Sequence, residues 1–182
     1  MNLKQLLFFI SLYDKNTYAH VCRVAYYSNL IGKKLLLTTY EMNLLLYSSL
    51  LHDIGKILIP TSLLYKKEKL TKSEFQFIKS HVNLGISILP DTMAEIKNII
   101  AYHHERLDGT GYPYHLEKEQ IPKLSKIIAI ADSYDAMTSN RFYNDIKTKD
   151  EAIQELLSNT SYYGKNKYCY AYVKTFCKCI KK

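Results

Sequence analysis

The sequence predicts an all-α fold, and three observations carry that expectation. Only 6 glycines and 4 prolines punctuate 182 residues, too few for a many-turned β fold. Apolar residues recur at helical spacing: His20, Val24, Tyr27 and Ile31 share one face of a long helix from about Tyr18 to Leu37. Capping boxes of the form Thr-x-x-Glu stand at Thr71–Glu74 and Thr148–Glu151, each opening a helical run. With 47% hydrophobic residues, the chain is expected to bury one core, and its length suits one domain rather than two.

In chain order, about seven to nine helices are expected. An apolar, amphipathic helix, or the stub of a helix that carried an upstream sensor, is expected over residues 1–13, and the rest of the domain runs over 14–182. Asp14 to Thr17 supplies turn and N-cap chemistry before the long helix, whose Lys33 and Lys34 suit its C-terminal end. Thr38 or Thr39 caps a helix from Glu41 to Leu51, apolar nearly all round and so expected to be central. Gly55 then lets the chain leave, and Ile57 to Pro60 reads as a short extended exit, because a residue before proline avoids the α region. One helix carries Phe75, Ile78, His81, Val82 and Ile86, and Pro90 closes it. Thr92 opens another to about Glu105, ending in His103 and His104. A loop over Asp108–Gln120 leads to a long helix from Ile121–Pro122 through Ala131, Tyr134 and Asp135. A helix to about Leu157 and a last one over Tyr168–Ile180 complete the chain.

The formal charge is +8, from 25 Lys+Arg against 17 Asp+Glu, which favours anionic ligands or reflects a lysine-rich solvated surface. No arginine-rich tract or basic-aromatic repeat points to a nucleic-acid polymer. The apolar run Leu6–Ile10 is far too short to span a bilayer and lacks a cleavage site. Cys22, Cys169, Cys177 and Cys179 form no CxxC pair and are read as reduced thiols of a cytoplasmic protein.

Five of the six histidines stand at element ends or on an apolar helix face, close to carboxylates: His20, His52, His81, His103 and His104. A single helical histidine is usually structural, but five placed this way, with His52–Asp53 and His103–His104 adjacent, favour metal ligation. Neighbouring side chains diverge on a helix and so reach two ions more readily than one. Two metals about 3.5–4 Å apart can clamp an in-line phosphoryl displacement. Lys56, one turn beyond His52, is placed to neutralise a phosphate oxygen or is an ordinary solvated lysine. His115 has no such context and is read as structural.

With these residues in view, the chain resembles the HD-GYP branch of the HD phosphohydrolase superfamily. The resemblance rests on His20, His52-Asp53-Ile-Gly-Lys56, His81 with Gly85, and His103-His-Glu-Arg-Leu-Asp-Gly-Thr-Gly-Tyr-Pro113, followed by Ala131-Asp132…Asp135-Ala136 and Arg141-Phe-Tyr143, in that order. It covers Asn16 to Phe176. It implies a compact HD-type helical domain with two divalent ions, iron or manganese. His20, His52, Asp53 and Asp132 would surround one ion and His81, His103 and His104 the other, with Asp53 bridging. Lys56 and Arg141 would contact substrate phosphates, Tyr112 the substrate, and Asp135 the substrate or a site water. The implied activity is hydrolysis of cyclic di-GMP to pGpG or GMP by a metal-bridging hydroxide, with Asp53 and Lys56 as the catalytic pair. The rigid GYP loop, with Gly109 and Gly111 permitting positive φ, is also a surface through which relatives dock diguanylate cyclases.

The chain departs from the pattern at three places. Asn16 stands where relatives with a third metal carry glutamate, Asn144 where some carry a second basic residue, and Glu117–Gln120 where a glycine is usual. Two rival expectations follow: an HD hydrolase of another nucleotide such as cyclic GMP-AMP, and a non-catalytic module that binds cyclic dinucleotide or docks a cyclase.

Overall fold

The computed structural model describes residues 2–139 and 146–180. Helix α1 (Leu3–Tyr13) is capped by an Asn2/Gln5 box, and α2 (Lys15–Lys34) by Asp14, which accepts from the Asn16 and Thr17 amides. Thr38 and Glu41 cap α3 (Thr39–Leu51), which runs into a 3-10 turn over Ile54–Leu58 and a single turn α4 (Thr61–Leu64). Then come α5 (Lys72–Lys79), α6 (His81–Ile88), α7 (Ala94–Ile100) and α8 (Lys123–Thr138). Helices α9 (Lys149–Ser158) and α10 (Tyr170–Ile180) close the chain. Among the described residues there is no strand, only isolated bridges at Asp108–Glu117 and Thr160–Tyr168, so the fold is all-α as expected.

Two apolar clusters hold the helices together. The larger joins Val24 and Ile31 of α2, Leu45 of α3, Ile127, Ile128 and Tyr134 of α8 and Phe176 of α10. The smaller packs Leu6 and Ile10 of α1 on Leu51, Ile54 and Ile100. Each fully buried side chain of this kind contributes about 1.5–3 kcal/mol, and truncating Leu45 to alanine would cost about 2–5 kcal/mol. Helices α3 and α7 contribute to both clusters, and each runs directly into site histidines.

Several local expectations are corrected, each for a physical reason. Helix α2 starts three residues before Tyr18 because Asp14 caps it. Helix α3 is not buried all round: Leu46 and Tyr47 are about two-fifths exposed. Ile57 and Leu58 lie in the 3-10 turn, and only Ile59, the residue before the proline, is extended. The run from Thr71 to Pro90 breaks at Ser80, where the Ser80 hydroxyl and His81 Nδ1 take the Phe77 and Ile78 carbonyls from the helix ladder. Helix α7 ends at Ile100 rather than near Glu105, because His103 Nδ1 takes the Ile100 carbonyl. Gly109 has a positive φ of 73°, whereas Gly111 is needed for closeness: a Cβ there would lie 2.4 Å from Arg106 N and Glu105 Cα. Gly55 likewise serves closeness more than departure, since it lets the 3-10 turn lie against α6.

Candidate metal centre

Three imidazoles sit at helix ends and are oriented by the same device. His52 Nδ1 lies 2.7 Å from the Ser49 carbonyl, His81 Nδ1 2.8 Å from that of Ile78, and His103 Nδ1 2.6 Å from that of Ile100. A carbonyl only accepts, so each Nδ1 carries the proton and each Nε2 presents a bare lone pair. All three Nε2 atoms and Asp53 Oδ1 are buried and make no hydrogen bond. Buried polar atoms without partners are costly, and a cation among them removes that cost.

These lone pairs converge. One donor set joins His20, His52 and Asp53, a second joins Asp53, His81, His103 and His104, and within each set the donor atoms lie within 4.8 Å of one another. Asp132 stands beside both, with Oδ1 3.2 Å from His20 Nε2 and Oδ2 3.8 Å from His104 Nδ1. The seven residues named from the sequence are therefore brought into one cluster, with Asp53 common to both sets. Imidazole-carboxylate sets of this composition fit two divalent transition-metal ions.

Burial, carboxylates and neighbouring imidazoles set the charges. Burial and the neighbouring imidazoles bring His103 down to about 3, and burial also lowers His52, His81 and His104. Burial works against the charged forms of Asp53 and Asp132 too, yet Lys56, His52 and His20 hold Asp53 well below the usual carboxylate range, and His20 does the same for Asp132. At His20, burial is outweighed by Asp132, Asp135 and Asp53, which raise it to about 9. His52, His81, His103 and His104, neutral beside ionised carboxylates, are in the ligating form, whereas His20 must release a proton to ligate.

Asp135 is fully buried. Its Oδ2 accepts from His20 Nδ1 at 2.7 Å, Arg23 donates to both of its oxygens at 2.6 and 3.0 Å, and the Ser139 hydroxyl adds a contact at 3.0 Å. Expected to hold substrate or water, it instead orients a cluster histidine, because every oxygen is taken by protein. Lys56 Nζ lies 2.5 Å from Asp53 Oδ2. Tyr112 stacks on His104 with centroids 4.6 Å apart and lies under the Lys79 ammonium at 4.6 Å. Arg141, with the Arg-Phe-Tyr segment and Asn144, lies outside the described residues.

Beside the cluster opens a cavity of about 530 Å³. His20, Arg23 and Lys56 line its polar side, and Leu63, Tyr65 and Ile78 its apolar side. Sequence reasoning missed two residues here. Arg23 lies one turn beyond His20 on α2, and asking which charges share that face would have found it. Glu105 is buried at 2% exposure and accepts from the Tyr114 and Leu116 amides at 2.7 and 3.0 Å, bracing the GYP loop from below. No local signal marks that role.

A family model described as an HD domain matches residues 6–166. A cyclic di-GMP phosphodiesterase of Thermotoga maritima is 38% identical over 149 residues, covering 80% of this chain and 40% of that protein. A 3′3′-cGAMP-specific phosphodiesterase 2 of Vibrio cholerae is 38% identical over 149 residues, covering 80% of this chain and 28% of that protein. The chain thus spans less than half the length of these curated relatives. Among solved structures, Bd1817, an HDG"Y"P protein from Bdellovibrio bacteriovorus, superposes with a TM-score of 0.72 at 23% identity, covering 90% of this chain and 52% of that one, which bears on the fold. No helix among the described residues is long and apolar enough to cross a membrane.

Proposed function

The chain belongs to the HD-domain family, in its HD-GYP branch, and on that premise we propose that it is a phosphodiesterase that hydrolyses cyclic di-GMP. The observation that carries this reading is the pair of donor sets sharing Asp53, with the unpartnered Nε2 atoms of His52, His81 and His103, beside a cavity lined by Arg23 and Lys56. Two divalent ions, iron or manganese, would be held by His20, His52, Asp53 and Asp132 on one side and by His81, His103, His104 and Asp53 on the other. Bound there, they supply Lewis-acid polarisation of the phosphate and lower the pKa of water.

The chain's own residues do the rest. Each hydrolysis adds one water across a P–O bond, giving linear pGpG and then GMP. Asp53, ionised at neutral pH, holds the two halves of the site together and keeps Lys56 extended toward the cavity. The Lys56 ammonium faces a non-bridging phosphate oxygen and stabilises the charge that grows there. Asp135 fixes the ring of His20 through Nδ1, and the carbonyls of Ser49, Ile78 and Ile100 fix the rings of His52, His81 and His103, so these four rings are oriented in advance. Tyr112 covers His104 and keeps water from that flank.

A second reading, the same reaction on cyclic GMP-AMP, is favoured by the V. cholerae relative, which matches at equal identity. The test is anaerobic purification, metal counting by plasma mass spectrometry, and chromatography of cyclic di-GMP and cyclic GMP-AMP with Fe(II) or Mn(II) supplied. About two metals per chain and appearance of pGpG or GMP from cyclic di-GMP is the expected result. Faster turnover of cyclic GMP-AMP favours the second reading, and bound metal with no product from either leaves a binding module.

A further inference from the structure

Arg23 is a cation of the cavity that, among the described residues, bonds no member of the donor sets. Lys56 bonds Asp53, which belongs to both sets, whereas Arg23 reaches the cluster, among the described residues, through Asp135. Its Nε–H and one Nη2–H form a fork on the two Asp135 oxygens. A guanidinium has further donors on Nη1 and Nη2, and among the described residues these make no hydrogen bond. The side chain is 41% exposed and lines the cavity, so the unused donors have an open space to address. Asp135 is itself held by His20 and Ser139, so the guanidinium plane is fixed before any ligand arrives.

The chemistry of the substrate class supplies the partner. A cyclic dinucleotide carries two phosphodiesters on opposite sides of its ring, and only one can sit at the metal pair at a time. The other is an anion that needs a cation at a distance from the first. Among the described residues, the only carboxylate on the cavity wall is Asp14, which is taken by the Asn16 and Thr17 amides and the Thr17 hydroxyl, so it does not compete for the guanidinium.

We propose that Arg23 binds the non-scissile phosphate of the cyclic dinucleotide, while Lys56 serves the scissile one. This assignment rests on the proposed cyclic-dinucleotide reading. It makes Arg23 a specificity residue for two-phosphate ligands: a planar fork anchored on Asp135 at one edge and donating to phosphate oxygens at the other.

The test measures binding of the bis-phosphorothioate analogue of cyclic di-GMP, which resists hydrolysis, to the metal-loaded protein by calorimetry, with metal content counted in parallel. Arg23→Ala is expected to raise Kd about tenfold or more with the metal stoichiometry unchanged. Arg23→Lys, which keeps the charge but cannot hold Asp135 and phosphate at once, is expected to weaken binding at least about threefold and decides the matter if the alanine variant fails to fold. Wild-type affinity in either folded variant overturns the assignment alone. Loss of metal in step with affinity also overturns it, because Arg23 would then act only by supporting His20. No binding by the wild-type protein overturns this assignment and the cyclic di-GMP reading together.

Discussion

The carbonyl oxygen of His81 occupies the place where a side chain on Gly55 would go: a Cβ there would lie 1.9 Å from it and 2.5 Å from the Gly85 amide nitrogen. This contact sets the distance between the 3-10 turn that follows His52–Asp53 and helix α6, which begins with His81. His81 Nε2 consequently lies 3.3 Å from Asp53 Oδ1. The glycine of the HDIGK stretch is thus a spacing element of the cluster.

Gly55→Ala is therefore expected to cost about 3 kcal/mol or more, at the upper end for overpacking, because backbone rather than a flexible side chain must give way. The variant should lose metal as His81 is displaced, as denaturant unfolding with metal analysis would measure. Gly85→Ala, whose Cβ would meet its nearest atoms at 3.3 Å, should be the milder change.

Glu105→Gln exchanges a carboxylate that accepts two loop amides for an amide that can accept only one of them. The buried N–H left without a partner should lower stability by about 1–3 kcal/mol. Hydrogen exchange should quicken at Tyr114 or Leu116, while metal content holds. Unchanged protection at both amides would contradict the bracing role.

The metal-free protein should lose stability on mild acidification. His103 ionises near 3 in the folded chain and near its ordinary 6.5 when unfolded, so unfolding takes up a proton between those values. His52, His81 and His104 are shifted in the same direction. His20 is opposite: raised to about 9, its contribution is complete below 6.5 and is lost as pH rises toward 9. Between pH 6.5 and 5.0 the lowered histidines therefore act unopposed, each by up to about 1.4 kcal/mol per pH unit. Thermal unfolding of chelator-treated protein should show Tm falling across that range, and a flat or rising Tm would contradict the buried neutral imidazoles.

How much of this was legible in the sequence depends on the range of the interactions. The Thr71–Glu74 and Thr148–Glu151 capping boxes form as read, because both partners lie within one helical turn. The residues of the cluster were legible because histidines next to carboxylates at element ends have few structural uses. The breaks at Ser80 and Ile100 were not, since they depend on which way an imidazole turns and so on the packing that turns it. The role of Asp135, for which the resemblance implies a substrate or water contact, is not legible because nothing local reveals that His20, Arg23 and Ser139 surround it. Gly55 and Gly111 were recognised as glycines of loops, but their reason is a neighbouring backbone that only the tertiary fold brings near.

Lys56→Ala should keep both metals and reduce kcat by about a hundredfold, the scale for removing one donor from a developing phosphate charge. Lys56 bonds Asp53 but belongs to neither donor set. Steady-state kinetics with metal counting would check this, and metal loss would mean that the lysine's main task is to hold Asp53.

The central claim is that Asp53 joins the two donor sets, and counting metals in Asp53→Ala beside the wild type tests it most directly. The account predicts about two ions per wild-type chain, near-complete loss in the variant, and no cleavage of cyclic di-GMP by the variant. An Asp53→Ala protein that keeps both its metals and its activity would contradict it.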